Sequence, residues 1–215
     1  DSTFLNTNLN ANLKYQIKDN TNLFATFNSE DSQNNTEAIS NNISTYKNYF
    51  IGFGYEYKIT KNDVFKNDTF FLNINPSFGK RKTINNASQQ IKISTTLTYL
   101  LALNRKNNIY FRNKTGLLNS TNYFENELFR IGGNKSIRGF NEQSIFVKNY
   151  LLQNIEFRYQ TSKSSYLYTI TDLALITTTV SKEKLYSFGL GYLFNTNNSQ
   201  VNISTAVGTN TKNTI

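Results

Sequence analysis

The sequence predicts an all-β fold, a transmembrane antiparallel up-and-down β-barrel, on three observations. Apolar and polar residues alternate with a period of two, the alternating segments are long, and the links between them alternate in length. A period of two places successive side chains on opposite faces of a strand. From Gln90 to Leu103, Ile91, Ile93, Leu97, Tyr99, Leu101 and Leu103 share one face, opposite Lys92, Ser94, Thr96 and Thr98. From Ser44 to Ile59, Tyr49, Ile51, Phe53, Tyr55, Tyr57 and Ile59 oppose Asn48, Gly52, Gly54, Glu56 and Lys58. Near the start, Leu5, Leu9, Leu13, Tyr15 and Ile17 alternate with Asn6, Asn8, Asn10, Asn12 and Lys14. A face of repeated Asn cannot form a dry core, so one side of the sheet must be wet.

Taken in order, the expected strands are Thr3–Ile17, Thr21–Asn28, Ser44–Ile59, Thr69–Gly79, Gln90–Leu103, Asn108–Leu118, Ser144–Tyr159, Ser165–Thr177, Lys184–Phe194 and Gln200–Gly208. Many reach the roughly 9–11 residues that cross a bilayer on a tilt, where an ordinary strand has about 5–6. Short links at Lys18–Asn20, Arg105–Asn107, Thr161–Lys163 and Asn195–Ser199 are separated by longer ones at Ser29–Asn42, Lys80–Ser88 and Asn119–Gln143. Short turns on one rim and long loops on the other fit an outer-membrane barrel.

A soluble β-sandwich also alternates, because one face of each sheet packs inward. It would use shorter strands, more turn Gly and Pro, and polar outer faces; here Gly occurs 10 times and Pro once, while Phe and Tyr number 17 and 14. A mean hydropathy of −0.51 excludes a helical membrane protein but not a barrel with a polar lumen. We therefore expect Tyr49, Phe53, Leu97, Leu101, Phe157 and Phe188 to face lipid, and Asn8, Asn10, Lys58, Thr96 and Glu156 to face the lumen. No linker or composition shift divides residues 1–215, which are read as one domain.

The composition also limits the chemistry. The chain has no Cys and no His, which removes disulfides, thiolate metal sites, the usual acid–base catalyst and the commonest metal ligand. No catalytic residue, metal site or cofactor is assigned. A net charge of +9 could suggest nucleic acid, but the Lys and Arg residues are spread singly and form no compact patch, so no nucleic-acid partner is expected. No apolar run approaches the roughly 18–20 residues of a membrane helix. The chain opens at Asp1 within a strand-like pattern, and we expect it to be part of something longer. Gly52-Phe53-Gly54 and Gly189-Leu190-Gly191 lack the following helix and Lys-Ser/Thr of a phosphate loop; they read as lumen-facing glycines that let side chains approach the wall. Lys80-Arg81-Lys82 falls in an expected outer loop, as solvated charge or within reach of lipopolysaccharide phosphates.

One segment is more specific than its surroundings: Phe129-Arg130-Ile131-Gly132-Gly133-Asn134-Lys135-Ser136-Ile137-Arg138-Gly139-Phe140. It resembles the hallmark of the BamA–TamA–FhaC superfamily of outer-membrane insertases and two-partner secretion transporters, in which a Gly-Gly element leads into an Arg-Gly-Phe tip on a long external loop folded into the lumen. Downstream, Asn154-Ile155-Glu156-Phe157-Arg158-Tyr159 resembles the family's Asn-x-Glu-x-Arg strand. Thr171-Asp172-Leu173-Ala174 resembles its Phe-x-Asp-x-Gly strand, with Ile170 at the aromatic position and Ala174 at the Gly. Ser187-Phe188-Gly189-Leu190-Gly191 followed by Val201-Asn202-Ile203 is similar to the penultimate hairpin. The similarity runs from Phe129 to Gly208; upstream only the strand rhythm agrees.

The resemblance implies a sixteen-stranded barrel of which about ten strands are present here, the chain being the C-terminal part with the strands of the lateral seam missing. It implies a Gram-negative outer-membrane location, and partners among outer-membrane lipid and lipopolysaccharide, client outer-membrane or secreted polypeptides, and accessory lipoproteins or other complex subunits. It implies that Gly132, Gly133, Ser136, Ile137, Arg138, Gly139 and Phe140 form a luminal motif, with Asp172 and Glu156 as acidic partners of Arg138. The implied function is insertion or translocation of other polypeptides, without covalent chemistry. Two alternatives stay open: a barrel anchoring a fused patatin-like or phosphoesterase enzyme, and a passive pore or adhesin.

Overall fold

The computed structural model describes residues 4–34, 43–60, 68–196 and 198–214. Ten long strands, of 13 to 16 residues, make one antiparallel sheet: β1 (Phe4–Lys18), β2 (Thr21–Asn34), β3 (Tyr46–Thr60), β4 (Asp68–Lys82), β5 (Ala87–Ala102), β6 (Asn107–Ser120), β9 (Asn149–Ser162), β10 (Ser165–Thr177), β11 (Ser181–Asn195) and β12 (Gln200–Thr214). Between β6 and β9 the chain forms a 3₁₀ turn (Glu125–Glu127) and a small hairpin of β7 (Phe129–Ile131) and β8 (Ile145–Val147). Spatial order follows chain order, β1 to β6 and then β9 to β12, which is up-and-down topology.

The outer face of this sheet is apolar. On β3, Tyr49, Ile51, Phe53 and Tyr55 are exposed, while Tyr46, Asn48, Phe50, Gly52 and Gly54 are buried on the other face. Phe53, Leu101, Phe157 and Phe188 are likewise exposed, and Leu97 is half-buried. A sandwich would hide these rings. A monomeric soluble protein rarely exposes a contiguous apolar patch beyond a few hundred Å², and an apolar band outside a polar interior is what lipid selects. On the opposite face Glu156 is buried and Thr96 half-buried, with Asn8, Asn10 and Lys58 exposed near the free end of the sheet. Aromatic rings of neighbouring strands lie over two of the inner-face glycines, Phe24 over Gly54 and Tyr168 over Gly191.

The loop from β6 touches Asn6 of β1 and, further on, Gly208 of β12 from the same side. The sheet is therefore curled around it. Among the described residues no ladder joins β1 to β12, so the ten strands do not close on one another.

Several expected boundaries move. β2 runs on to Asn34, β4 to Lys82 and β12 to Thr214, because polar residues continue a strand where the partner's ladder continues. The link expected at Lys80–Ser88 thus shrinks to residues 83–86, and β10 reaches β11 through residues 178–180; the alternation of short and long links is weaker than expected. Lys80-Arg81-Lys82 lies in β4 rather than in a loop, with Arg81 turned inward and buried. Ile145–Val147, expected as the start of one long strand, pairs instead with β7. Part of the link expected at Ser29–Asn42, residues 35–42, lies outside the described residues.

Candidate functional site

The inner face of β9 to β11 is dry where the loop lies on it. Ile131, Ile137, Val147, Leu152, Ala174, Ile176 and Leu185 form a buried cluster, with Phe129, Phe140, Ile145 and Tyr150 packed around it. The repeated Asn of the first strand implies a wet inner face there; beneath the loop water is excluded, because its apolar residues cover those of the strands. Ile137 is completely buried, so the residue before Arg138 seats the tip by the hydrophobic effect.

The approach to the tip is set by backbone. Gly132 and Gly133 take φ of 116° and 83°. The Ser136 hydroxyl accepts from the Gly132 amide at 2.7 Å and donates to the Gly132 carbonyl at 2.8 Å, closing the turn. Asn154 Nδ2 donates to the Ser136 carbonyl at 2.8 Å, and Arg112 Nε donates to Asn154 Oδ1 at 2.9 Å. Gly139 has φ of 81° and lies so close to β12 that a Cβ would sit 2.6 Å from the Gly208 nitrogen. Only glycine takes that conformation freely. Phe140 in turn lies over Gly208, where a Cβ would stand 2.4 Å from its ring.

At the tip Arg138 is buried against two carboxylates. Its backbone N and Nε donate to Asp172 Oδ2, both at 2.9 Å, and Nη2 donates to Asp172 Oδ1 at 2.6 Å. Nη1 donates to Glu156 Oε1 at 2.5 Å. Asp172 comes from β10 and Glu156 from β9, adjacent strands whose inner faces the alternation places side by side. Glu156 is shared: Arg158 donates to its Oε2 through Nε at 2.9 Å, and Arg158 Nη2 stands 2.7 Å from the same oxygen as an ion pair. The Arg158 guanidinium lies over Tyr110 at 3.9 Å and Tyr166 at 5.0 Å, contacts that hold a planar cation in place. Burial works to lower the pKa of Arg138, and the hydrogen bonds and charges of Asp172 and Glu156 more than offset it, so its pKa is raised and the cation is secure.

The structure thus joins Arg138 of the expected motif to Asp172 and Glu156, with Ser136 closing the turn at Gly132, Ile137 in the buried cluster, and Gly139 and Phe140 against Gly208. The sequence reading missed a second set. Arg81 Nη1 donates to Glu127 Oε1 at 2.6 Å, Gln90 Nε2 donates to Glu127 Oε2 at 2.9 Å, and the Arg81 guanidinium lies 4.3 Å from the Phe124 ring centre. Glu127 looked like one of several polar loop residues; nothing local marks it. Among the described residues no group of three His, Cys, Asp or Glu side chains is placed to hold a metal ion. What the site can do is hold a long loop inside a curled sheet.

No family model matches the chain, and no curated protein matches it. Among solved structures it is similar to CdiB from Acinetobacter baumannii, with a TM-score of 0.62 at 14% identity, over 97% of this chain and 42% of that one. The class this defines is an antiparallel up-and-down transmembrane β-barrel fold. The chain spans less than half the length of CdiB, and at 14% identity the likeness is one of fold.

Proposed function

We propose that the intact protein moves polypeptide into or across the outer membrane of a Gram-negative bacterium, with the Arg138 loop as brace and plug of the lumen. The observation that carries this reading is the Arg138 contact with Asp172 and Glu156, made by a long loop folded inside the sheet. Its support is the motif that places that arginine, the apolar outer face, and the fold shared with CdiB. The work is conformational rather than covalent: the loop fills the lumen when seated and must shift for a chain to pass. Outer-membrane lipid contacts the aromatic outer face, and the client is an unfolded or extended polypeptide.

The test uses the full-length protein in its own outer membrane. Arg138→Ala should lower client assembly or secretion while the barrel stays folded, as read by heat-modifiable electrophoretic mobility. Unchanged transport by a folded Arg138→Ala protein would overturn the reading.

A further inference from the structure

The loop between β6 and β9 is fastened twice, and the second fastening lies on the wall opposite Arg138. Its first limb, residues 121–130, reaches across to β1–β5. Glu127 and Arg81 form an ion pair whose side chains are 2% and 4% exposed. Arg81 Nη1 also donates to the Asn122 carbonyl at 3.1 Å, and the Phe124 amide donates to Glu127 Oε1 at 2.9 Å. Next to this pair, Asn126 is buried and donates from Nδ2 to Ser32 Oγ at 2.6 Å and to the Ser44 carbonyl at 2.7 Å. The Asn126 carbonyl accepts from Tyr46 Oη at 3.0 Å and from Asn6 Nδ2 at 3.2 Å. Tyr46 itself is buried and stacks on Phe124. These partners come from β1 to β5 and, for Ser44, from the link just before β3; the Arg138 partners come from β9 and β10, and the two sets share no residue.

We infer that Glu127 and Asn126 form a second latch, holding the loop's first limb against β1–β5, so that the loop leaves the lumen only when both latches open. The physical reason is tethering. A loop freed at Arg138 but held at Glu127 stays at high local concentration beside Asp172 and re-seats, and the reverse holds too. A buried ion pair with its hydrogen bonds intact does not open by side-chain fluctuation alone, because one partner removed leaves the other charged and dry. The latch also carries the loop over the mouth on the β1–β5 side, so Arg138 release by itself does not clear the lumen. Only this consequence for passage rests on the function proposed above; release of the loop does not.

The experiment reads release directly. In the full-length protein in outer-membrane vesicles, with any Cys outside these 215 residues replaced by Ser, Ile137→Cys places a single thiol at a fully buried loop position in a segment that has no Cys of its own. Its rate of modification by a membrane-impermeant maleimide is compared in four backgrounds: none, Arg138→Ala, Glu127→Gln, and both. Each single change should speed labelling by no more than about threefold, and the pair by about thirtyfold or more, well above the product of the two, the non-additivity expected of two clamps on one element. Asn126→Ala in place of Glu127→Gln should act in the same direction, and the exchange Arg81→Glu with Glu127→Arg should restore protection in the Arg138→Ala background. If Glu127→Gln fails to give a heat-modifiable barrel, Asn126→Ala decides. Labelling of the double variant no faster than that of Arg138→Ala alone overturns the second latch. Client export by the same variants is scored separately: loss of the export effect with the labelling pattern intact counts against the transport reading and leaves the latch standing.

Discussion

Arg138 meets Asp172 through backbone and side chain at once, the amide and Nε sharing Oδ2 at 2.9 Å while Nη2 takes Oδ1 at 2.6 Å. One carboxylate therefore fixes both the path of the loop and the direction of the guanidinium. Arg138→Ala leaves Asp172 buried without its cation and Glu156 with Arg158 alone, a loss of about 3–5 kcal/mol for a buried pair that loses one partner. The expected result is a small rise in amide hydrogen exchange over residues 131–139 while Glu127 still fastens the first limb, and a large one when Glu127→Gln is added, with exchange in β9 to β11 much less affected. Arg138→Lys should recover only part of the protection, since an ammonium cannot make the planar fork.

Asp172 accepts three bonds from Arg138, whereas Glu156 accepts one from Arg138 and one from Arg158, with which it also forms an ion pair. A double-mutant cycle on loop exchange should therefore give a larger coupling for Arg138 with Asp172→Asn than with Glu156→Gln, at about 1.5–3 kcal/mol per charge-assisted bond lost. Equal couplings would mean that the two carboxylates act as one diffuse field. Glu156→Gln should also loosen Arg158, visible as changed exchange around Tyr110 and Tyr166.

The tip needs bare backbone on both sides of the contact. Gly139→Ala forces a side chain into a left-handed conformation, about 1–2 kcal/mol, and against the β12 backbone at Gly208. Gly208→Val removes the seat of Phe140 without touching the loop's sequence. Both should release the tip in the maleimide assay once Glu127→Gln has opened the other fastening. Loop protection that survives Gly208→Val in that background would show that Phe140 finds another seat.

Phe53 and Phe188 are 65% and 57% exposed on the outer face. Replacing either with Lys should destabilise insertion into lipid by roughly 2–4 kcal/mol if the site lies near the bilayer midplane. Thr96→Lys, on the inner face, should be tolerated. Denaturant titration of the full-length protein refolded into vesicles measures both; a Phe53→Lys protein as stable in lipid as the parent would be incompatible with a lipid-facing aromatic band.

The Arg138 pKa is raised by its carboxylate neighbours. A group raised in the folded state contributes its stability fully below its unfolded pKa and loses it as pH rises through the folded one. For a guanidinium that window lies above the alkaline range of any assay. Raising pH from about 7 to about 10 should therefore leave the cation of the brace intact; loop exchange, corrected for its intrinsic pH dependence, should not accelerate through loss of charge on Arg138.

Much of the fold was legible because alternation is a local property. Tyr49, Phe53 and Phe188 sit on the outer face simply because side chains alternate along a strand, and no partner strand needs to be known to see it. The ends of β4 and β12 were not legible. Residues such as Lys80-Arg81-Lys82 have no strong strand preference, and only a neighbouring ladder, Arg81 opposite Ser88 for instance, keeps them extended. Arg81 looked like loop charge for the same reason: its partner Glu127 lies in a different part of the chain, with nothing in the spacing to announce it.

By itself the sequence determined the class of fold, the two faces of the sheet, and the Gly-Gly, Arg138, Gly139-Phe140 cluster with Asp172 and Glu156 on strands downstream. The fold class and the two faces follow from a period of two, a short-range property; the grouping of Arg138 with Asp172 and Glu156 was implied by the resemblance that the Gly-Gly and Arg-Gly-Phe segment carries. The tertiary structure alone decided that β8 leaves the main sheet to pair with β7, that the lumen is dry beneath Ile137, and that Glu127 reaches Arg81 and Gln90. Each of those depends on which distant surfaces the curled sheet brings within reach of one loop. An extended segment carries no local record of what it will face, because its side chains alternate identically whether water, lipid or a folded loop waits on the other side.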